Sequence, residues 1–262
     1  MSSPTKQINP KALAIFDIDG VVRDVSSSYR RAIADTVEHF TKGQYRPTGP
    51  DIDNLKSEGI WNNDWKASFE MIRRYFASIS QQFSHQYEDI VSYFQTCYLG
   101  TDFNSWNGYI CQEQLLVNIN YFQELTESGI GWGFFSGAPT AEAKYVLNRL
   151  LIENPILVAM EDAPDKPNAT GLFKTILQLS EDLIPVVYAG DTVADMMTVK
   201  NAREKYPDRR WVAVGILPPH VQQTTQQIES YSETLKNAGA EVVLKNMQEL
   251  TANLIEQLIG EK

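Results

Sequence analysis

Short apolar runs alternate with helical patterns through the second half of the chain, and that alternation leaves few folds open. The runs fall at 131–135, 156–160, 185–189, 211–216 and 241–244, and an earlier one at 12–16 has the same character. Runs this short, separated by helix-length stretches, read as βαβ units and predict a parallel sheet. The fold class expected is α/β, a Rossmann-like three-layer core. In such sheets the ligand crevice lies at the carboxyl ends of the strands, so the residues just after each run are the ones to inspect.

Between the first run and the second lies a different pattern. Ile33, Val37 and Phe40 recur at helical spacing; so do Trp65, Phe69, Ile72 and Phe76, and then Tyr87, Val91, Phe94 and Tyr98. These stripes read as helix cores rather than a cofactor box. Ser26 to Ser28 are candidate N-caps for the first helix, Asn63 marks the start of the second, and Ser84 caps the third, with 45–50 breaking the pattern. At 262 residues the chain has room for a core of ordinary size with a smaller inserted domain. The expected division is 1–24 with 112–262 as the core and 25–111 as an all-helical insert.

Composition narrows the class of partner. The hydrophobic fraction of 43% and charged fraction of 21% are globular values. A formal net charge of −10 with no basic segment argues against nucleic acid and anionic lipid. No apolar run is long enough to span a membrane and the N-terminus lacks a signal-peptide pattern, so the expected location is cytoplasmic. Cys97 and Cys111 have no CxxC spacing and are expected to be reduced, and His39, His85 and His220 have no zinc-ligand spacing.

Four polar clusters follow four of the runs. They are Asp17-Ile18-Asp19-Gly20, Ser136-Gly137, Asp165-Lys166-Pro167 and Gly190-Asp191-Thr192-Val193-Ala194-Asp195. Taken singly, each has a plain structural reading: an Asx turn, a loop, a helix boundary and a helix N-terminus. As an ordered set at strand ends they resemble the haloacid dehalogenase superfamily, whose motifs are DxD, a Ser or Thr after the second strand, a Lys, and a terminal acidic pair such as GDxxxD. The helical insert between DxD and Ser136 resembles the cap of the subgroup that carries it between the first two motifs.

That resemblance implies a phosphatase. Asp17 would be the nucleophile that forms an aspartyl phosphate, and Asp19 the acid that protonates the leaving alcohol and then activates water. Ser136 and the Gly137 amide would bind phosphate oxygens, with Lys166 supplying positive charge. Asp17, the Asp19 carbonyl and Asp191 would ligate Mg²⁺, an oxygen-only set suited to a hard cation, while Asp195 would hold Lys166 or a metal-bound water from behind. The acidic residue at position 19 sets the chain apart from the dehalogenases and phosphonatases of the superfamily. A phosphomutase resembling β-phosphoglucomutase is the alternative enzyme, and a non-catalytic binding protein of the same fold the alternative of another class.

The expected partner is a small phosphorylated metabolite, and the protein a monomer or homodimer. Candidate substrate residues in the insert are Tyr29, Arg30, Lys56 and Asn63, with Asn62 beside them. For Asn63 a helix cap and for Lys56 a solvated helix position are the structural alternatives. The stretch 51–65 resembles a segment in a branch of capped members, some of which look associated with histidine biosynthesis.

Overall fold

The computed structural model describes residues 10–58, 60–61, 63–102 and 105–260. The chain forms two compact units, Val25–Gln114 and, built from both flanks of it, Met1–Asp24 with Leu115–Lys262. Among the described residues no helix is long and apolar enough to cross a membrane.

Unit Val25–Gln114 is helical: α1 Tyr29–Phe40, α2 Gly49–Lys56, α3 Asp64–Ser78 and α4 Tyr87–Tyr98. Ile33, Val37, Ile72, Ile90, Phe94 and Tyr98 are fully buried and form its centre. Trp65, Phe69 and Phe76 are only half-buried, whereas Ala67 and Met71 turn inward. The large rings instead contact one another at the helix margin, with Phe69 on Phe83 at 4.9 Å and Phe76 on His85 at 5.6 Å. Helix α2 has no counterpart in the periodicity argument. It is nucleated by its ends: Thr48 accepts from the Asp51 amide while Asp51 accepts from the Thr48 amide, and Pro50 sits in the first turn. Helix α4 begins later than Ser84 suggests, with Gln86 as its cap residue and Glu88 and Asp89 complementing the helix dipole. Ser28 is the cap residue of α1, but its hydroxyl donates to Glu113 instead of capping. Cys97 and Cys111 both lie half-buried in this unit.

The other unit carries six parallel strands: β1 Ala12–Phe16, β2 Ile130–Phe135, β3 Leu157–Val158, β4 Val186–Gly190, β5 Trp211–Ile216 and β6 Val242–Leu244. Their spatial order is β3-β2-β1-β4-β5-β6. Strand β1 is apolar throughout because both its faces are covered. Ala12, Ala14 and Phe16 pack on one side with α5 Ile119–Glu127, α6 Thr140–Arg149 and α10 Ala252–Gly260. Leu13 and Ile15 pack on the other with α7 Thr170–Leu179, α8 Val193–Lys205 and α9 Thr225–Asn237. The unit is thus a three-layer α/β fold of Rossmann-like topology. Strand β3 is two residues long because the chain turns at Ala159, whose amide donates to Asp162 at 2.9 Å. The register pairs Phe16 with Phe134 on one side of β1 and with Ala189 on the other, so the ends of β1, β2 and β4 lie side by side.

Candidate active site

At the end of β1 the backbone turns sharply. The Asp17 amide still donates to Ala189 O of β4 at 2.9 Å, and the next carbonyl, of Ile18, accepts from the amides of Val21, Val22 and Arg23. The Gly20 amide in turn donates to Arg23 O, closing the loop on itself. Gly20 has φ +73°, and a Cβ there would lie 2.1 Å from Asp191 Oδ2, so both the turn and the neighbouring carboxylate require glycine. The loop holds Asp17 buried, with its Oδ1 accepting from the Ile18 amide at 2.7 Å. Asp19 is partly exposed, and its Oδ1 accepts from Arg23 Nε at 2.6 Å although Arg23 itself is fully buried.

The end of β4 supplies the opposite wall. Asp191 follows the strand directly, and Thr192 and Asp195 open α8 as a capping box in which the Thr192 amide and hydroxyl donate to Asp195 Oδ2 at 3.0 and 2.6 Å. The other oxygen, Asp195 Oδ1, accepts from Tyr188 OH at 2.8 Å and from Lys166 Nζ at 2.7 Å. Lys166 also reaches Asp17 Oδ2 at 2.9 Å, which makes it the bridge between the two strand ends.

One carboxylate oxygen each from Asp17, Asp191 and Asp195 lie within 4.8 Å of one another, all three residues buried. Such crowding penalises ionisation. Burial first, then the charges of Asp195 and Asp19, push Asp17 up to about 7 despite Lys166. Burial and the neighbouring carboxylates raise Asp191 well above the ordinary range. Asp195 goes the other way: burial opposes its charge, but the Lys166 ammonium and the donors Lys166, Thr192 and Tyr188 outweigh it. Lys166 is raised because the attraction of Asp17 and Asp195 exceeds the cost of burying it.

These residues fit a divalent cation. Asp17, Asp19, Asp191 and Asp195 bring four carboxyl groups together, and Lys166 is the ammonium set between Asp17 and Asp195. Every available donor is an oxygen, and the Asp191 carboxylate has no hydrogen-bond donor among the described residues, whereas both oxygens of Asp195 are already occupied. Asp17 and Asp191 are therefore the side chains open to a hard cation, with Asp195 behind them.

Ser136 follows β2 and is buried, its Oγ accepting from the Ala138 amide at 3.1 Å. Gly137 is exposed and a Cβ there would meet nothing within 4 Å, so no neighbouring protein atom demands glycine at this position. The remaining candidates belong to unit Val25–Gln114. Tyr29 stacks on Tyr98 with ring centroids 4.3 Å apart, and Arg30 donates to Asp53 and to Gly49 O at 2.6 and 3.0 Å. Lys56 pairs with Asp64 at 2.5 Å, and Asn63 caps α3 by accepting from the Lys66 amide. Asn62 lies outside the described residues. Two residues of the site carried no sequence signal that singled them out: Arg23 and Tyr188.

A family profile described as haloacid dehalogenase-like hydrolase matches residues 11–203. A curated relative, an imidazoleglycerol-phosphate dehydratase from Phytophthora nicotianae, is 28% identical over 243 residues, which is 90% of this chain and 50% of that protein. The chain therefore spans about half the length of the curated relative it matches. Among solved structures, a phosphonoacetaldehyde hydrolase-like protein from Oleispira antarctica aligns over 99% of this chain and 96% of its own, with TM-score 0.69 and 17% identity. A β-phosphoglucomutase-like protein from Thermotoga maritima aligns over 94% and 99%, with TM-score 0.62 and 16% identity. The phosphatase Tt82 from Thermococcus thioreducens aligns over 86% and 99%, with TM-score 0.59 and 22% identity. At these identities the structural likenesses speak for the fold.

Proposed function

Because the chain belongs to the haloacid dehalogenase-like hydrolases, we propose that it is a magnesium-dependent phosphatase that takes phosphate from a small metabolite through an aspartyl phosphate on Asp17. The observation that carries this reading is the Asp17–Lys166–Asp195 bridge beside Asp191, with Asp19 two residues from the nucleophile.

In the first half-reaction an oxygen of Asp17 attacks phosphorus as the bond to the leaving oxygen breaks, and Asp19 gives that oxygen a proton. In the second, water attacks the same phosphorus, its proton passes to Asp19, and the bond to Asp17 breaks. Lys166 holds Asp17 in line and faces the negative charge of the phosphoryl group. The Ser136 hydroxyl and the Gly137 amide bind phosphoryl oxygens. When bound by Asp17, the Asp19 carbonyl and Asp191, Mg²⁺ supplies charge neutralisation for phosphate entering a crevice of carboxylates. Unit Val25–Gln114 serves as the cap in this reading, with Tyr29, Arg30, Lys56 and Asn63 as candidate contacts to the leaving group.

The named activity of the curated relative concerns imidazoleglycerol phosphate. Imidazole-bearing phosphate esters are accordingly the first members of the substrate panel. The test is release of inorganic phosphate from that panel and from p-nitrophenyl phosphate, with Mg²⁺ and with excess chelator. Turnover that chelation silences and Mg²⁺ restores is expected. Activity unchanged by chelator sinks the metal assignment; isomerised sugar phosphate without phosphate release makes the enzyme a mutase; no turnover makes the protein a binder.

A further inference from the structure

We propose that Arg23 is the positioning residue for Asp19: it clamps one carboxylate oxygen so that the other is left to carry the proton. The inference rests on the phosphatase reading above. Arg23 is fully buried, and it follows a turn in which Ile18, Val21 and Val22 are apolar and equally buried. A guanidinium in that setting is costly to desolvate, and an apolar residue would pack there with less penalty. One partner it holds is Asp19, whose Oδ1 lies 2.6 Å from Arg23 Nε.

Backbone contacts hold the pair together as well. The Arg23 amide donates to Ile18 O at 3.1 Å, the Gly20 amide donates to Arg23 O at 2.9 Å, and Arg23 forms isolated bridges with both Asp19 and Leu115. Asp19, by contrast, is the most exposed of the four carboxylates, with 28% of its side chain accessible. A short carboxylate at such a place turns freely about two bonds unless something holds it, and proton transfer needs its oxygen within hydrogen-bond reach of the leaving atom. Arg23 supplies the hold at Oδ1. Oδ2 has no donor among the described residues and is the oxygen that passes a proton to the leaving group and takes one back from water. The contact is made through Nε, a geometry that a lysine ammonium does not reproduce.

The experiment compares kcat/KM for an alkyl phosphate with that for p-nitrophenyl phosphate, in Mg²⁺, for the wild type, Arg23→Met, Arg23→Lys and Arg23→Gln. Nitrophenolate leaves without a proton, whereas an alkoxide does not, so the alkyl-to-aryl ratio reports delivery by Asp19. That ratio is independent of how much of a variant is folded, so a destabilised variant still gives an answer. Arg23→Met should lower it at least ~10-fold, a modest share of the 10²- to 10⁴-fold range of general acid catalysis. Arg23→Lys and Arg23→Gln should also lower it, and they provide the measurement where Arg23→Met yields no soluble protein. In an Asp19→Asn background, changing Arg23 should leave the ratio where Asp19→Asn alone puts it, because residues acting as one unit are not additive. Ratios within twofold of wild type in every Arg23 variant, or a further fall in the Asp19→Asn background, overturn the assignment. Wild-type protein that turns over neither ester overturns the phosphatase reading, and this inference with it.

Discussion

In the proposed reaction Asp17 has to be ionised in surroundings that oppose its charge. Burial and the charges of Asp195 and Asp19 outweigh the help of Lys166 and hold it up to about 7. Asp17→Asn keeps the shape and the Ile18 amide contact but removes the attacking charge. Its turnover should fall at least ~10³-fold, as when other covalent nucleophiles are lost, while its melting temperature holds or rises because a buried charge conflict is relieved. A variant retaining more than a tenth of wild-type activity would remove Asp17 from the nucleophile's role. Asp17 and Asp191 were legible in the sequence because each stands just past an apolar run, where topology alone brings strand ends together, and Asp195 because it closes the acidic pair that begins with Asp191. Arg23 was not, since its meeting with Asp19 depends on a turn folding back under itself, and no periodicity encodes that. Tyr188 was hidden for a different reason: within a strand buried on both faces it reads as one more core residue, and only its hydroxyl's contact with Asp195 reveals a second duty.

At the scale of elements, Asp195 belongs to two structures at once. It is the third residue of α8, closing the capping box with Thr192, and it is the anchor of Lys166. Thr192→Ala removes the cap and one of the donors that fix Asp195. A cost of about 1 kcal/mol is expected from the cap, which lowers the melting temperature by roughly 2–4 °C in a chain of this size. Turnover should fall as well, by about tenfold, because Lys166 loses a fixed partner, and Thr192→Ser should restore both. Thermal melts with parallel kinetics check this; loss of stability with unchanged kcat would confine Thr192 to the helix end. The apolar runs gave the strands to within a residue or two wherever burial on both faces continued to the strand end. They overran β3, where the Ala159–Asp162 turn ends the ladder early. Helix α2 shows no apolar stripe because its evidence lies in its ends, the Thr48–Asp51 reciprocity, and eight residues are too few for a convincing one. In α3 the expected stripe of large rings gave way to Ala67 and Met71, since closely packed helices take small and flexible side chains at their centre and leave bulky rings to the margin.

For the whole molecule, the carboxylate cluster ties folding to pH and to cation binding. Asp17 and Asp191 have folded-state pKa values raised by burial and by their neighbours, so the folded protein holds protons that the unfolded chain releases. Their stabilising contribution is complete below the unfolded carboxylate pKa of about 4 and is lost as pH rises through the folded value, about 7 for Asp17. Asp195, held below its ordinary pKa, acts in the opposite direction only at lower pH, where protonation would break its bond to Lys166. Cation-free protein should therefore lose stability between pH 5 and pH 8. Mg²⁺ binds the ionised form, so it should return more stability at pH 8 than at pH 5.5, where it must first displace a proton. At ten times its dissociation constant the ion contributes about 1.4 kcal/mol, or roughly 3–5 °C in melting temperature. A net charge of −10 gives every cation some general attraction, so NaCl of matched ionic strength is the control. Melting curves at both pH values, with chelator, with Mg²⁺ and with NaCl, decide the matter, and Asp17→Asn in the same series should show a flatter pH dependence without added cation. Equal Mg²⁺ shifts at the two pH values, or shifts that NaCl reproduces, would mean that the cluster is held neutral by protons and by Lys166 and Arg23 alone.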